Sequence, residues 1–134
     1  MSSGKKVIPS EVEGCLLADP CVDQVVVYGE GRKFLTALVV PRWDQMRRAL
    51  HEAGTPVDSQ PDESLAGHPG VMGLLEKRFE GLLADMAPWE RVKRLIVRPR
   101  PFSIAADELT VSLKMRRNVI FQHYKAELEA LYKE

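Results

Sequence analysis

Residues 22–40 read VDQVVVYGEGRKFLTALVV, and this stretch decides the fold. β-Branched and aromatic side chains dominate residues 22–28 and 33–40, a composition typical of strands. Gly29-Glu30-Gly31-Arg32 separates the two runs, and glycines in so short a connection indicate a tight turn. Pro41 closes the second run. The stretch therefore predicts a β-hairpin.

The chain on either side of the hairpin has mostly helical periodicity. Apolar residues recur at three- and four-residue steps in several segments, which is the spacing of one helix face. Ser10 and Glu13 have the spacing of a capping box at the start of the first helix. Prolines and glycines interrupt residues 55–70, which predicts a surface excursion. The predicted elements are helices from Ser10 to before Asp19, at 44–53 and at 71–86, and a third strand at 92–98.

Short strands interspersed with helices, without a regular strand-helix-strand repeat, predict an α+β fold. We expect a small antiparallel sheet with a β-hairpin, flanked by helices. The chain has 134 residues, 45% of them hydrophobic and 28% charged. Both the length and the composition are those of a globular single domain, so residues 1–134 are predicted to form one domain.

Composition and spacing argue against several classes of function. Lysine plus arginine equals aspartate plus glutamate at 19 each, so a dedicated nucleic-acid binder is not expected. Gly29-Glu30-Gly31 does not continue into a dinucleotide fingerprint, because Phe34 stands where the third glycine would be. No phosphate loop and no nucleophile elbow occurs. The three histidines and two cysteines lack metal-ligand spacing, and the cysteines are expected to be reduced: His51, His68, His123, Cys15 and Cys21.

No apolar run approaches the ~20 residues that a transmembrane helix needs, and the N-terminus lacks an apolar signal region. The sequence therefore predicts a soluble, cytoplasmic protein without a transmembrane segment.

Residues 109–116 combine an alternating pattern with a cluster of polar groups. Apolar residues alternate with hydroxyls and cations, which predicts an extended segment with one side packed and Lys114 displayed on the other. A mainly apolar helix face follows from Val119 to Leu131. Positive charge is concentrated in the last third of the chain, where it could meet phosphates of RNA, a nucleotide or coenzyme A, or could simply be solvated. This basic group consists of Arg91, Lys93, Arg94, Arg98, Arg100, Lys114, Arg116, Arg117 and Lys125.

Four segments, taken in order, resemble the C-terminal domain of adenylate-forming acyl-CoA synthetases, which are AMP-binding enzymes. They are residues 3–13, 24–41, 89–94, and 102–104 together with 108–117, and the long-chain fatty-acid CoA ligase branch fits best. In that family a large N-terminal domain binds ATP and the acyl carboxylate. The small C-terminal domain rotates about a hinge between a pose that makes the acyl-adenylate and a pose that makes the thioester with coenzyme A.

The resemblance implies specific roles for residues at both ends of the chain. Lys114 matches the family's catalytic adenylation lysine, although Leu113 stands where many members have glycine and Val111 replaces a frequent proline. Ser3, Gly4 and Lys5 match the glycine-containing segment that approaches the coenzyme A channel. ATP and coenzyme A are implied as substrates and Mg²⁺ is expected in the full-length enzyme, with no metal ligand in this chain.

The hinge, the ATP-binding loops and the fatty-acid tunnel would lie upstream of Met1. The N-terminal adenylating domain is therefore expected as a partner, and an excised or separately encoded domain that is inactive alone is predicted. The full-length enzyme could be peripheral to a membrane. Two alternatives remain open: a stand-alone regulatory or protein-interaction module with the same fold, and an RNA-binding α+β domain.

Overall fold

The computed structural model describes residues 7–55, 57 and 59–133, and these residues form five α-helices and one three-stranded sheet. The α+β class is therefore confirmed. In chain order the elements are α1 (Pro9–Leu16), β1 (Val22–Tyr28), β2 (Leu35–Pro41), α2 (Trp43–Glu52), α3 (Asp62–Leu65), α4 (Pro69–Leu82), a 3-10 turn (Pro88–Glu90), β3 (Val92–Val97) and α5 (Arg117–Ala130).

The sheet has the order β1-β2-β3 and is mixed. β1 and β2 form the predicted antiparallel hairpin, with Val25 opposite Val39. β3 instead runs parallel to β2, with Leu95 beside Ala37. The expectation of a wholly antiparallel sheet is thus wrong for this pair. Residues between β2 and β3 form three helices, and a crossover of this length allows the chain to return and enter β3 in the same direction as β2.

Every residue of the central strand β2 is buried, and its side chains alternate between two hydrophobic cores. Leu35, Ala37 and Val39 belong to the first core, which is covered by α1, α2, α3 and α4. Leu38 and Val40 belong to the second core, on the opposite face. The second core also contains Val26 from β1, Phe102, Leu109, and Ile120 and Leu128 from α5. The two faces of the sheet therefore have different coverings.

The start of α1 differs from the predicted capping box. Pro9 is the first helical residue, a position that proline favours because its missing N–H would be unpaired there. Ser10 consequently lies inside the helix. The Glu13 carboxylate accepts a hydrogen bond from the Val27 backbone N–H at 2.9 Å and pairs with Arg117. Glu13 thus joins α1 to β1 and α5, so the predicted capping role is wrong.

The residues that the structure describes between 55 and 70 are more regular and more buried than the predicted surface excursion. They contain α3, and Leu65 and Val57 are both buried in the first core. Within the described ranges both cysteines are free thiols, Cys15 partly exposed and Cys21 buried. No helix in those ranges has the length and apolar character needed to cross a lipid bilayer.

The C-terminal end of α5 is fixed to the hairpin turn by aromatic and ionic contacts. The Tyr132 hydroxyl lies 2.9 Å from the Phe34 carbonyl oxygen and 3.0 Å from that of Tyr28. The Arg32 guanidinium lies 4.3 Å from the centre of the Tyr132 ring and pairs with Glu129 at 2.6 Å. A Cβ on Gly29, whose φ is +106°, would overlap the Tyr132 hydroxyl.

Two glycines of this turn give a matched pair for testing that contact. Gly31 also has a positive φ, +86°, but a Cβ there would meet nothing within 4 Å. We expect Gly31→Ala to lower the free energy of unfolding by about 1 kcal/mol, through backbone strain alone. Gly29→Ala should cost about 2 to 4 kcal/mol, because a steric clash is added. Urea denaturation measures both, and equal losses would contradict the contact between the turn and Tyr132.

Candidate functional site

Lys114 lies in a tight loop rather than in the predicted extended segment. We call residues 109–115 the Lys114 loop. Leu109 and Met115 form an isolated antiparallel bridge at its base. Above the bridge, the Thr110 N–H donates to the Lys114 carbonyl at 2.9 Å, and the Leu113 N–H donates to the Thr110 carbonyl at 2.8 Å. The prediction of an extended alternating strand is therefore wrong for the residues between Leu109 and Met115.

The tip of the loop exposes two apolar side chains that the alternating pattern had assigned to the packed side. Val111 is 89% exposed and Leu113 is 67% exposed, whereas Leu109 is buried in the second core. Leu113 has φ +66°, a left-handed backbone conformation that glycine adopts far more readily than leucine. This turn geometry explains why the alternation of apolar residues did not correspond to a strand.

Hydroxyl groups inside the loop hold the backbone at Lys114. The Lys114 N–H donates to Oγ1 of Thr110 at 3.0 Å, and that oxygen lies 3.1 Å from Oγ of Ser112. These local bonds fix the main chain at the lysine, while the lysine side chain is exposed. The predicted display of Lys114 towards solvent is therefore found, although on a turn.

The basic group predicted in the last third of the chain does not form one unoccupied cationic surface. Its arginines bind protein groups: Arg91 the Met86 carbonyl, Arg94 the Leu131 carbonyl, Arg98 Glu108, Arg100 Glu63, Arg116 Asp107 and Arg117 Glu13. The three lysines of the group differ from these arginines, since no salt bridge joins Lys93, Lys114 or Lys125 to a carboxylate among residues 7–55, 57 and 59–133. Lys114 thus has no carboxylate of these residues within 4.0 Å of its ammonium group. Its charge is therefore available for a group outside these residues.

A buried carboxylate lies beneath the Lys114 loop. Glu108 is only 2% exposed, and its two oxygens accept hydrogen bonds from the two terminal nitrogens of Arg98 at 2.8 and 2.9 Å. Nδ1 of His123, on α5, lies 3.1 Å from the same carboxylate. Burial alone would raise the pKa of Glu108, but the bonds from Arg98 and His123 outweigh it and hold that pKa below its ordinary value of 4.5.

Arg98 is fully engaged in this arrangement. Besides Glu108, its guanidinium donates to the backbone carbonyls of Arg100 and Pro101 and to the Tyr124 hydroxyl. A guanidinium has five N–H groups, and these bonds use all of them. Arg98 therefore has a structural role, and it is not one of the cations available to a phosphate.

Ser3, Gly4 and Lys5 lie outside the described residues. Among the residues that the structure does describe, no group of three or more histidine, cysteine, aspartate or glutamate side chains could hold a metal ion. His68 caps α4 by accepting a bond from the Gly70 N–H at 2.9 Å.

Sequence reasoning assigned no role to Glu108 and did not connect it with Arg98. The two residues are separated by ten positions and lie on no common helix or strand. Arg98 follows β3 and Glu108 lies in the irregular segment before α5, so no local period in the sequence could reveal their pairing.

The fold of the described residues matches part of a larger enzyme of known structure. The A-PCP didomain of carboxylic acid reductase from Segniliparus rugosus, solved in complex with AMP, matches with a TM-score of 0.71 and 26% identity. The match covers 92% of this chain and 16% of that protein. The described residues therefore have the fold of a small α+β part of that larger protein.

Sequence comparison finds similarity to the family that the motifs resemble. The family model for the AMP-binding enzyme C-terminal domain matches residues 1–58. The Mycobacterium tuberculosis protein fadD11, which bears the name of a fatty-acid–CoA ligase, is 30% identical over 98% of this chain and 23% of its own length. The long-chain-fatty-acid–CoA ligase FadD15 of the same organism is 26% identical over 98% of this chain and 22% of its own.

The predicted resemblance to AMP-binding enzyme C-terminal domains is confirmed, because the family model matches residues 1–58 and the two ligases match almost the whole chain. The chain spans less than a quarter of the length of these curated relatives.

The buried carboxylate gives a pH-dependent prediction. Because the pKa of Glu108 is lowered on folding, its charge stabilises the fold above the unfolded value of 4.5, and this stabilisation is lost as the pH falls through the lower folded value. We expect Glu108→Gln to lower the free energy of unfolding by about 1 to 3 kcal/mol near pH 6. The difference in the free energy of unfolding between this variant and the unmodified chain should become smaller below pH 4.5. Urea denaturation across this range tests it, and a difference that stays constant at lower pH would contradict the ion pair.

Proposed function

We propose that this chain is the C-terminal domain of an acyl-CoA synthetase that activates a long-chain fatty acid with ATP, and that Lys114 is its catalytic adenylation residue. The carrying observation is the exposed Lys114, which has no carboxylate partner among the described residues and sits on a loop anchored in a hydrophobic core. The fatty-acid assignment is supported by the names of the relatives, fatty-acid–CoA ligases that match almost the whole chain.

The chemistry of acyl-adenylate formation needs a cation at the reacting groups. A carboxylate attacks the α-phosphate of ATP and pyrophosphate leaves, so two anions approach each other while charge develops on the leaving oxygens. A lysine ammonium on a flexible stem can attract both reactants and stabilise that charge. An unpaired lysine suits this role, because a carboxylate already bound to it would compete with the substrate.

The remaining parts of the reaction are assigned to groups outside the described residues. We propose that an N-terminal adenylating domain binds ATP and the fatty acid, and that Mg²⁺ enters there with the nucleotide, since the described residues offer no metal ligand cluster. Ser3, Gly4 and Lys5 are proposed to border the coenzyme A channel when the domain turns to its second pose. The isolated chain should accordingly show no turnover with ATP, fatty acid and coenzyme A.

A chimeric enzyme tests the role of Lys114. The C-terminal domain of FadD15 is replaced by residues 1–134, and pyrophosphate release is measured with ATP and a long-chain fatty acid. Lys114→Ala should lower the rate of adenylation at least about 100-fold, because a transition-state charge contact is lost. The rate of thioester formation from preformed acyl-adenylate should stay the same in this variant, since the lysine acts only in the first step.

Lys125→Ala is the matched control, because Lys125 is also exposed but lies on α5 away from the loop. Its rate should stay within about twofold of the unmodified chimera. An unmodified chimera without pyrophosphate release, beside an active native FadD15, would contradict the proposal. Equal activity of the Lys114→Ala and unmodified chimeras would favour an interaction module instead.

A further inference from the structure

The two arms of the Lys114 loop are held at their base by one residue. The Glu108 carbonyl accepts a hydrogen bond from the Arg116 N–H at 2.8 Å, which closes the loop just outside the bridge between Leu109 and Met115. The Glu108 N–H in turn donates to the Ser103 carbonyl at 3.0 Å. The main chain of Glu108 therefore connects both arms with the segment that precedes the loop.

The side chain of Glu108 ties this base to two rigid elements. Arg98 follows β3, and its backbone N–H donates to the Val39 carbonyl of β2 at 2.8 Å. The ion pair between Arg98 and Glu108 therefore connects the sheet with the base of the loop. His123 belongs to α5 and reaches the same carboxylate at 3.1 Å. The loop base is thus fastened to the sheet and to the helix through a carboxylate that is itself 3% exposed.

The contacts of the Glu108 carboxylate with Arg98 and His123 do not involve Lys114. The Glu108 carboxylate is buried and engaged with Arg98 and His123, whereas the Lys114 side chain is exposed. Any influence of Glu108 on the reaction would therefore pass through the geometry of the loop rather than through direct contact with substrate.

We infer that Glu108 is a positioning residue for Lys114: its buried carboxylate, held by Arg98 and His123, sets the angle at which the loop presents the lysine during adenylation. This inference rests on the proposed function of Lys114. Displacing a catalytic group by a small distance is enough to lower a rate substantially, because reaction requires close alignment. Loss of the Glu108 carboxylate should consequently lower the rate of adenylation. The rate of thioester formation should not change, because Lys114 takes no part in that step.

The test compares two buried carboxylates in the FadD15 chimera. Glu108→Gln removes the charge beneath the Lys114 loop. Asp19→Asn removes a similar charge in the part of the fold covered by α4, where Asp19 is 7% exposed and pairs with Arg78 at 2.9 Å. Both half-reactions are measured separately, and hydrogen exchange of the peptide spanning residues 109–116 is followed by mass spectrometry.

The inference predicts that Glu108→Gln lowers adenylation by about tenfold or more. Thioester formation from preformed acyl-adenylate should stay unchanged, and exchange in the loop peptide should become faster. Asp19→Asn should change the rates of the two half-reactions by the same factor, and the hydrogen-exchange rate of the loop peptide should stay unchanged. A Glu108→Gln variant that lowers both half-reactions equally, or neither, would overturn the inference.

The exchange measurement separates this inference from the proposed function. If the unmodified chimera shows no adenylation, the function of Lys114 fails. Faster loop exchange in Glu108→Gln alone would then still support the anchoring by Glu108. Unchanged exchange in that variant would overturn the anchoring whatever the activity.

Discussion

The burial of β2 on both faces is the constraint on which the rest of this domain depends. Its side chains alternate between two cores, so each face of the sheet needs its own covering. Four helices cover one face, while α5 and the segment from Phe102 to Leu109 cover the other. Because the second covering follows β3 in the chain, the loop that carries Lys114 is formed within it. The position of the Lys114 loop is thus a consequence of how the second face is covered.

This arrangement separates anchoring from exposure within a few residues. Leu109 is buried at the base of the loop, whereas Val111 and Leu113 are open at its tip. The ion pair of Glu108 with Arg98 adds a polar anchor beside the apolar one. A short loop with a fixed base and an exposed cation can act on a group supplied by another domain without rearranging the core. That property suits a domain which its family relatives carry as a fraction of a longer protein.

Local patterns predicted what depends on neighbours in the sequence. The β-branched runs gave β1 with its observed bounds, and helical spacing gave α2, α4 and α5 within a few residues. The parallel pairing of β3 with β2 could not be predicted, because strand partners are chosen by packing across a long crossover. The same holds for the link between Glu108 and Arg98. The alternation at 109–116 misled because an exposed turn tip carries apolar residues, and a sequence pattern does not show what covers them.

The most direct measurement is the rate at which an amine-selective reagent modifies Lys114, with Lys125 as internal reference. In residues 1–134 alone, the account predicts similar rates for the two lysines, since both side chains are exposed. In the chimera with a bound, unreactive acyl-adenylate analogue, Lys114 alone should become protected, by about tenfold or more. Slow modification of Lys114 in the isolated chain, or equal reactivity of both lysines in the chimera, would contradict a lysine presented to a neighbouring active site.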